Sequence, residues 1–441
     1  MTILHLEQTT KFSVWSIPLN AKTQDKAKTT VFVDLNCAYT QKIVLDEFNK
    51  RADEYDVIKG PGHGDDAITP PNPTEIQFAE YERIQWAAVL SGKLRASSYC
   101  VRKGLSRKAQ LAHYTSKYIQ RKEQQQRSSN TTYMYLKQAM PFTIVIDTWP
   151  AFSVDTNKLG NDSGSSLMQR IRFCLQEAEQ AMSLPEHKDY MWILKPSTVN
   201  KGTGIKIVHC FEEVVETVLD LNEISREFVL QRYIDRPLLL RRRKFHIRAY
   251  ALAVSALQVY LYDDVLALCS GTKYSYDTTQ ILAHITNTAY QAIDPNFSEE
   301  KCVLTLNEVK KLMVRDKTCR DEIEAAHIIE KIQLDMQNIT GELFAAYKGE
   351  YAVFAPIHGC FEHFGLDFVV DEDFSVYLLE VNPGPDFRQT GDKLSGIISG
   401  LMASTIDVAI SGKSEVGTGL TKVYEESIRT GGGGKINMKF S

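Results

Sequence analysis

Near the C-terminal end, Phe364-Gly365-Leu366-Asp367-Phe368-Val369-Val370 and Val376-Tyr377-Leu378-Leu379-Glu380-Val381-Asn382 flank a short polar turn and predict two antiparallel strands of a hairpin. A symmetric register sets Asp367 opposite Glu380, and the period of two keeps Asn382 on the face of Glu380. Leu366, Phe368, Leu379 and Val381 then fall on the other face and mark it as core. Like charges directly opposed across a sheet are destabilising unless something positive sits between them. A divalent cation resolves the conflict. Two carboxylates and one amide leave a hard ion under-coordinated, which suits Mg²⁺ completing its shell with water and nucleotide phosphates. The alternative, a solvated face with unrelated acids, fits the apolar far side less well.

The chain of 441 residues is long enough for two or three domains with a sizeable core. A net charge of -4 gives no general signal for nucleic acid or a membrane surface, so an anionic partner would have to meet local basic segments. Arg241-Arg242-Arg243 and the helix-forming stretch near Arg107 are two such segments, and a solvated charge run is the competing reading for each. The eight cysteines contain no C-x-x-C pair and follow no apolar leader, so reduced thiols and a cytoplasmic location are expected. The apolar stretch from Tyr250 to Tyr262 falls short of the about 20 residues of a bilayer span.

Thr30 to Asp34, a helical pattern from Thr40 to Arg51, and Tyr55 to Ile58 read as the opening of a small α/β unit. Gly60 to Pro73 is a loop, Ile84 to Leu90 reads as a strand, and Ser97 to Arg127 as one long helix. A strand at Phe142 to Ile146 and a helix from Ser165 to Met182 open a middle region. Beyond Phe228, strands lie on both sides of a helical insert from Leu306 to Leu343. From Ser411 onward, with Gly431 to Gly434, a flexible tail is expected.

Met191 to Pro196 and Ile205 to Val208 read as short strands joined by Lys201-Gly202-Thr203-Gly204, a connection able to turn backbone N–H groups toward phosphates. A short G-x-G is often no more than a turn. Phe228 to Tyr233 is a strand fit to line an adenine pocket, and on the next strand alternation puts Lys244, His246, Arg248 and Tyr250 on one face. Cations without an interleaved acid are costly there unless an anion binds; an exposed edge is the alternative. Rival motifs fail: Asp407 stands where a P-loop ending in Gly412-Lys413-Ser414 needs its first glycine. His358, Cys360 and His363 lack a fourth zinc ligand at a usual spacing and read as a loop with unpaired histidines.

In this order, a strand lysine, a Gly-rich hairpin, Gln-x-Tyr, Lys-x-x-x-Arg and Asp…Glu-x-Asn resemble an ATP-grasp enzyme. More narrowly, Trp192 to Lys195, Arg236 to Leu240, Arg243 to Arg248, His284 to Asn287 and Leu379 to Asn382 resemble the tubulin tyrosine ligase-like family. The resemblance implies an α/β, α+β ATP-grasp fold: a Rossmann-like domain at residues 1–97, a central domain at 98–230, a C-terminal antiparallel-sheet domain at 231–410 and a tail at 411–441, with ATP between the middle two. Carried over by position, Lys195, Lys201, Gly202 and Gly204 would meet ATP phosphates, Gln231 and Tyr233 would border adenine, and Thr286 with Asn287 would close the site. Asp367, Glu380 and Asn382 would hold Mg²⁺, and Lys244 and Arg248 would face the triphosphate and the activated carboxylate.

The sequence departs from the tyrosine ligase at His246, where an acid is usual, and at Leu268, where an arginine that helps hold the acceptor is expected. In both it looks closer to a subgroup that includes a yeast P-body-associated protein. The implied activity is ATP-dependent carboxylate–amine ligation, adding tyrosine or glutamate to an acidic protein tail such as that of α-tubulin through an acylphosphate. The alternative is a nucleotide-binding interaction module for mRNA-decay factors.

Overall fold

A computed structural model of the chain describes residues 27–62, 70–71, 73–126, 133–152, 163–199, 202–219, 225–388 and 391–426. Strands β1 (Thr29–Asp34), β2 (Tyr55–Lys59), β3 (Ile76–Ala79) and β4 (Arg95–Ala96) form a parallel sheet in the order β2-β1-β3-β4. The crossover from β1 to β2 is the helix Ala38–Asn49, which buries Val44 and Phe48 with Val31, Val33 and Tyr55. The stretch Ile84 to Leu90, expected as a strand, is instead the helix Trp86–Leu90, preceded by a 3₁₀ turn at Tyr81–Arg83. Gln77, buried on β3, donates to the Arg83 carbonyl at 2.7 Å and accepts the Gln85 N–H at 2.9 Å, which folds the chain back before it can extend.

The helix expected from Ser97 to Arg127 starts only at Lys108 and runs to Gln126. Arg102, tied to the buried Glu362, sits outside helical geometry at φ -140°, and only the turn Lys103–Ser106 separates it from the helix proper. Next come β5 (Thr143–Asp147), β6 (Trp192–Pro196), β7 (Lys206–Val208) and β8 (Glu227–Arg232), an antiparallel sheet ordered β5-β8-β6-β7. The helices Ser163–Cys174, Gln176–Met182 and Phe211–Leu219 cover one face through Ile171, Ala178 and Val214.

The largest sheet comprises β9 (Leu239–Leu240), β10 (Arg243–Val254), β11 (Gln258–Tyr262), β12 (Leu266–Cys269), β13 (Val303–Thr305), β14 (Phe361–Val370), β15 (Val376–Pro383) and β16 (Leu420–Glu425). The long strand β10 organises it: one edge meets β12 and then β11, and the other meets β14, which carries β15. The helix Glu322–Ala346, N-capped by Asp321, buries Ile329, Ile332, Met336, Ile339 and Leu343 at helical spacing in one core with Ala249, Leu366 and Phe368. On the opposite face, Tyr250 and Leu252 pack with residues of the first sheet. Lys244 and His246, earlier on the same strand, line a pocket with Ile193, Lys195 and Gln231 of the second sheet.

The tail expected from Ser411 is ordered as far as residue 426, because β16 pairs with β11 and buries Leu420. Gly431 to Gly434 lie outside the described residues. No helix among the described residues is long and apolar enough to cross a membrane.

Candidate active site

On β14 and β15, Asp367 pairs with Glu380, Leu366 with Val381 and Gly365 with Asn382. Beyond Asp367 the register slips at a bulge, so Phe368 meets Leu378. The slip keeps Leu378 in the core and turns Leu379, expected there, onto the wall of a pocket. Arg248 reaches across from β10: its Nε donates to Asp367 Oδ1 at 2.5 Å and its Nη2 to Oδ2 at 3.1 Å. Gly365 makes room for that arm, since a Cβ there would stand 3.0 Å from the Pro385 Cβ and 3.3 Å from the Arg248 Cδ. Asn382 Nδ2 donates to Glu380 Oε1 at 3.1 Å and to Asp367 Oδ2 at 3.4 Å. Lys108, from the start of the long helix, lies 3.5 Å from Glu380 Oε2.

The two acids are held unequally. Burial drives the Asp367 carboxyl up to about 7, with Arg248 opposing that shift and Glu380 reinforcing it. Burial acts the same way on Glu380, but Lys108, the Asn382 amide, Asp367 and Lys195 together hold it down to about 2. Burial thus outweighs the Arg248 contact at Asp367. Three hard oxygen-bearing side chains in one chain of contacts are therefore a donor set that fits Mg²⁺.

In the same pocket, Lys195 Nζ donates to Gln231 Oε1 at 2.7 Å, and Gln231 Nε2 donates to Thr143 Oγ1 at 2.9 Å. Lys244 Nζ donates to the Tyr233 hydroxyl at 2.7 Å, and that hydroxyl lies 2.9 Å from His284 Nδ1. Burial lowers Lys195 to about 8, with Glu380 opposing and Lys108 assisting, and lowers Lys244 to about 7, assisted by Lys195. Desolvated ammonium groups held by neutral partners are suited to receive an anion.

Gly202 (φ 76°) and Gly204 (φ 71°) both occupy the left-handed region between β6 and β7. Lys201 lies outside the described residues. Thr286 Oγ1 is 2.7 Å from His246 Nδ1, whereas Asn287 spends its Oδ1 on the N–H groups of Ala289 and Tyr290 as an N-cap. Lys195, Gly202, Gln231, Tyr233, Lys244, Thr286, Asn287, Asp367 and Glu380 all line this pocket. Arg248, Asn382 and Gly204 do not; Arg248 and Asn382 instead brace the acids.

Sequence reasoning left out Lys108, whose only signal was membership of a basic helix, and gave His284, within the motif His284 to Asn287, no role. It placed His246 on the correct face without giving it a role. The region around His358, Cys360 and His363 is no loop of unpaired histidines: His363 is buried on β14 with Nε2 2.8 Å from Thr405 Oγ1, and His358 Nδ1 is 2.8 Å from Ser255 Oγ. No cluster of three or more metal-type His, Cys, Asp or Glu side chains occurs among the described residues.

A second cleft, of about 540 Å³, opens where the C-terminal ends of β1 and β3 face the segment after Asn382. Ligands of parallel α/β sheets bind at such strand ends. Its lining holds the acids Glu80, Glu82, Glu362 and Asp386 against the arginines Arg102 and Arg388.

The sequence model of the tubulin-tyrosine ligase family matches residues 105–416. A probable tubulin–tyrosine ligase of Schizosaccharomyces pombe is 32% identical over 370 residues, covering 76% of this chain and 82% of the relative. Probable tubulin–tyrosine ligase PBY1 of Saccharomyces cerevisiae is 26% identical and covers 76% of this chain, which in turn spans only 46% of it. Among solved structures, the C-terminal domain of K. lactis Pby1, an ATP-grasp enzyme interacting with the mRNA decapping enzyme Dcp2, superimposes with a TM-score of 0.64 at 25% identity, covering 91% of this chain and 100% of that one. The fold is thus that of an ATP-grasp enzyme, and the chain belongs to the tubulin-tyrosine ligase family.

Proposed function

We propose that this chain is an ATP- and Mg²⁺-dependent carboxylate–amine ligase acting in the cytoplasm. The observation that carries the reading is the direct opposition of Asp367 and Glu380 in a pocket that also holds Lys195 and Lys244. Gln231 and Tyr233 border the base, the lysines and the Gly202 turn take the phosphates, and Asp367, Glu380 and Asn382 hold the cation. The bound Mg²⁺ would neutralise charge on the transferring phosphoryl oxygens.

The substrate carboxylate attacks the γ-phosphorus and ADP leaves; the amine then attacks the acyl carbon, loses a proton and expels phosphate. No protein nucleophile is needed. Lys244 supplies positive charge to the transferred group, Arg248 fixes the Asp367 carboxylate, and the hydrophobic wall formed by Leu379 and Ile285 excludes water that would hydrolyse the acylphosphate.

The second cleft supports entry of the remaining substrates beside Asn382. Four acids against two arginines in its lining favour an amine there over an acidic tail. A free amino acid is thus the better occupant, and the carboxylate acceptor, a tubulin-like tail in this family, would approach from elsewhere. The test is incubation of the chain with ATP, Mg²⁺, an acidic-peptide panel and single amino acids, with products weighed. ADP release coupled to a peptide mass gain supports the reading, and ATP turnover without any amide product sinks it.

A second reading is a nucleotide-binding interaction module with weak ligation. It is favoured by Leu268, which lies opposite His246 on β12 and brings no charge for an acceptor, and by the Dcp2 interaction of the K. lactis relative. Tight ATP binding without turnover, with recovery of a decapping factor, would select it.

A further inference from the structure

His246 is 4% exposed, and its two ring nitrogens are treated very differently. Nδ1 lies 2.7 Å from Thr286 Oγ1, on the segment that carries Asn287. Nε2 has no hydrogen-bond partner, and Asp367 Oδ1 stands 3.8 Å away, beyond bonding reach. The cross-strand neighbour Leu268 is apolar and cannot serve it. Yet the ring lines the pocket together with Lys244, Asp367 and Glu380. A buried polar atom without a partner carries a desolvation cost that a ligand would relieve.

The tautomer follows from the surroundings. A lone pair on Nε2 would be repelled by the Asp367 carboxylate 3.8 Å away and an N–H attracted, with Glu380 acting in the same sense and Arg248 and Lys244 opposing. The proton therefore sits on Nε2, and the Thr286 hydroxyl donates to Nδ1. We infer that His246 Nε2–H is a direct hydrogen-bond donor to a terminal phosphoryl oxygen of the nucleotide, with Thr286 as the positioning residue that sets the donor tautomer. This rests on the nucleotide reading above and adds a neutral donor to the cations already assigned. It also links the segment that covers the nucleotide to the floor of the site: if Thr286 moves away, Nδ1 loses its donor and the ring is no longer held in one tautomer.

The test is ¹⁵N NMR of the full chain with labelled histidine, titrated with Mg²⁺ and either AMP-PNP or ADP. The expected result is a pyrrole-type Nε2 without nucleotide whose resonance shifts on adding Mg²⁺·AMP-PNP and moves much less with Mg²⁺·ADP, which lacks the terminal group. Thr286→Val should mix the tautomers and Thr286→Ser restore them. His246→Ala should lower kcat/KM for ATP by about 100-fold or more, as for removal of one preorganised donor to developing charge, with His246→Gln, which keeps an N–H donor, recovering part of it. A pyridine-type Nε2, or an equal response to ADP and AMP-PNP, overturns the inference while leaving the ligase reading intact. Absence of any calorimetric ATP binding by the wild-type chain overturns both.

Discussion

Arg248 grips Asp367 with a two-point fork across neighbouring strands, both side chains being about 5% exposed, and this ion pair is the only direct neutralisation Asp367 receives from a cation among the described residues. A fork of this kind matches guanidinium to carboxylate geometry in a way that lysine cannot. Removing one partner of a buried pair strands the other. Arg248→Ala is therefore expected to destabilise the fold by about 3–5 kcal/mol, read as a drop in the denaturation midpoint. Combining Arg248→Met with Asp367→Leu should cost less, because no charge is left unpaired. If the single change proves as mild as the double, the pair is not the brace described here.

Glu380 is placed differently. It keeps 25% of its side-chain surface exposed at the pocket wall, beside Lys108 and the Asn382 amide, and a glutamine there can still accept the Asn382 hydrogen bond. Glu380→Gln should leave the denaturation midpoint close to wild type while lowering ATP turnover by about 100-fold or more, the usual effect of removing one electrostatic contact to a transition state. Titration with Mn²⁺ followed by electron paramagnetic resonance should show weakened cation binding in the same variant. Unchanged cation affinity would remove Glu380 from the proposed donor set.

How far such residues can be read from sequence depends on how local their arrangement is. Asp367 and Glu380 are joined by one turn, and their opposition follows from alternation alone. The bulge beside them, which brings Leu379 to the pocket, is invisible to alternation because one extra residue in a strand leaves no mark on the hydrophobic pattern. Lys108 reaches Glu380 from a distant helix, and nothing in a basic run singles it out. The end of the chain misled for a similar reason. The run Gly431 to Gly434 suggests a tail from Ser411 onward, yet β11 presents an open edge that a short strand can complete. Conversely, the run Ile84 to Leu90 looks strand-like only until Gln77 claims the backbone beside it.

The Gly202 turn offers a test of the phosphate loop. Its φ of 76° is a conformation an L side chain enters at a cost of about 1–2 kcal/mol, and a Cβ there would stand 3.1 Å from the Ile285 Cγ2. Gly202→Ala should push the loop from the segment carrying Thr286 and weaken ATP binding by about 5- to 30-fold, the factor corresponding to that strain. Calorimetric titration of the variant against wild type measures it. Equal affinities would show that the turn does not follow the nucleotide.

The lysines make the sharpest pH prediction. Lys244 is lowered to about 7 and Lys195 to about 8, both chiefly by burial. Their unfolded counterparts keep protons to about 10.4, so between about pH 7 and 10 the unfolded chain binds more protons and stability rises with pH through that window. In the nucleotide-free protein at about pH 8.5, Lys244 is mostly neutral, while Asp367, raised only to about 7, is already ionised. A triphosphate arriving beside Lys244 favours its charged form, so binding at about pH 8.5 should draw protons from the buffer. At about pH 6 both lysines are already charged and that uptake should vanish. Calorimetry in two buffers of different ionisation enthalpy separates the cases, and Lys244→Met should remove most of the uptake at the higher pH. Binding heats independent of buffer at about pH 8.5 would show that the phosphates do not reach Lys244.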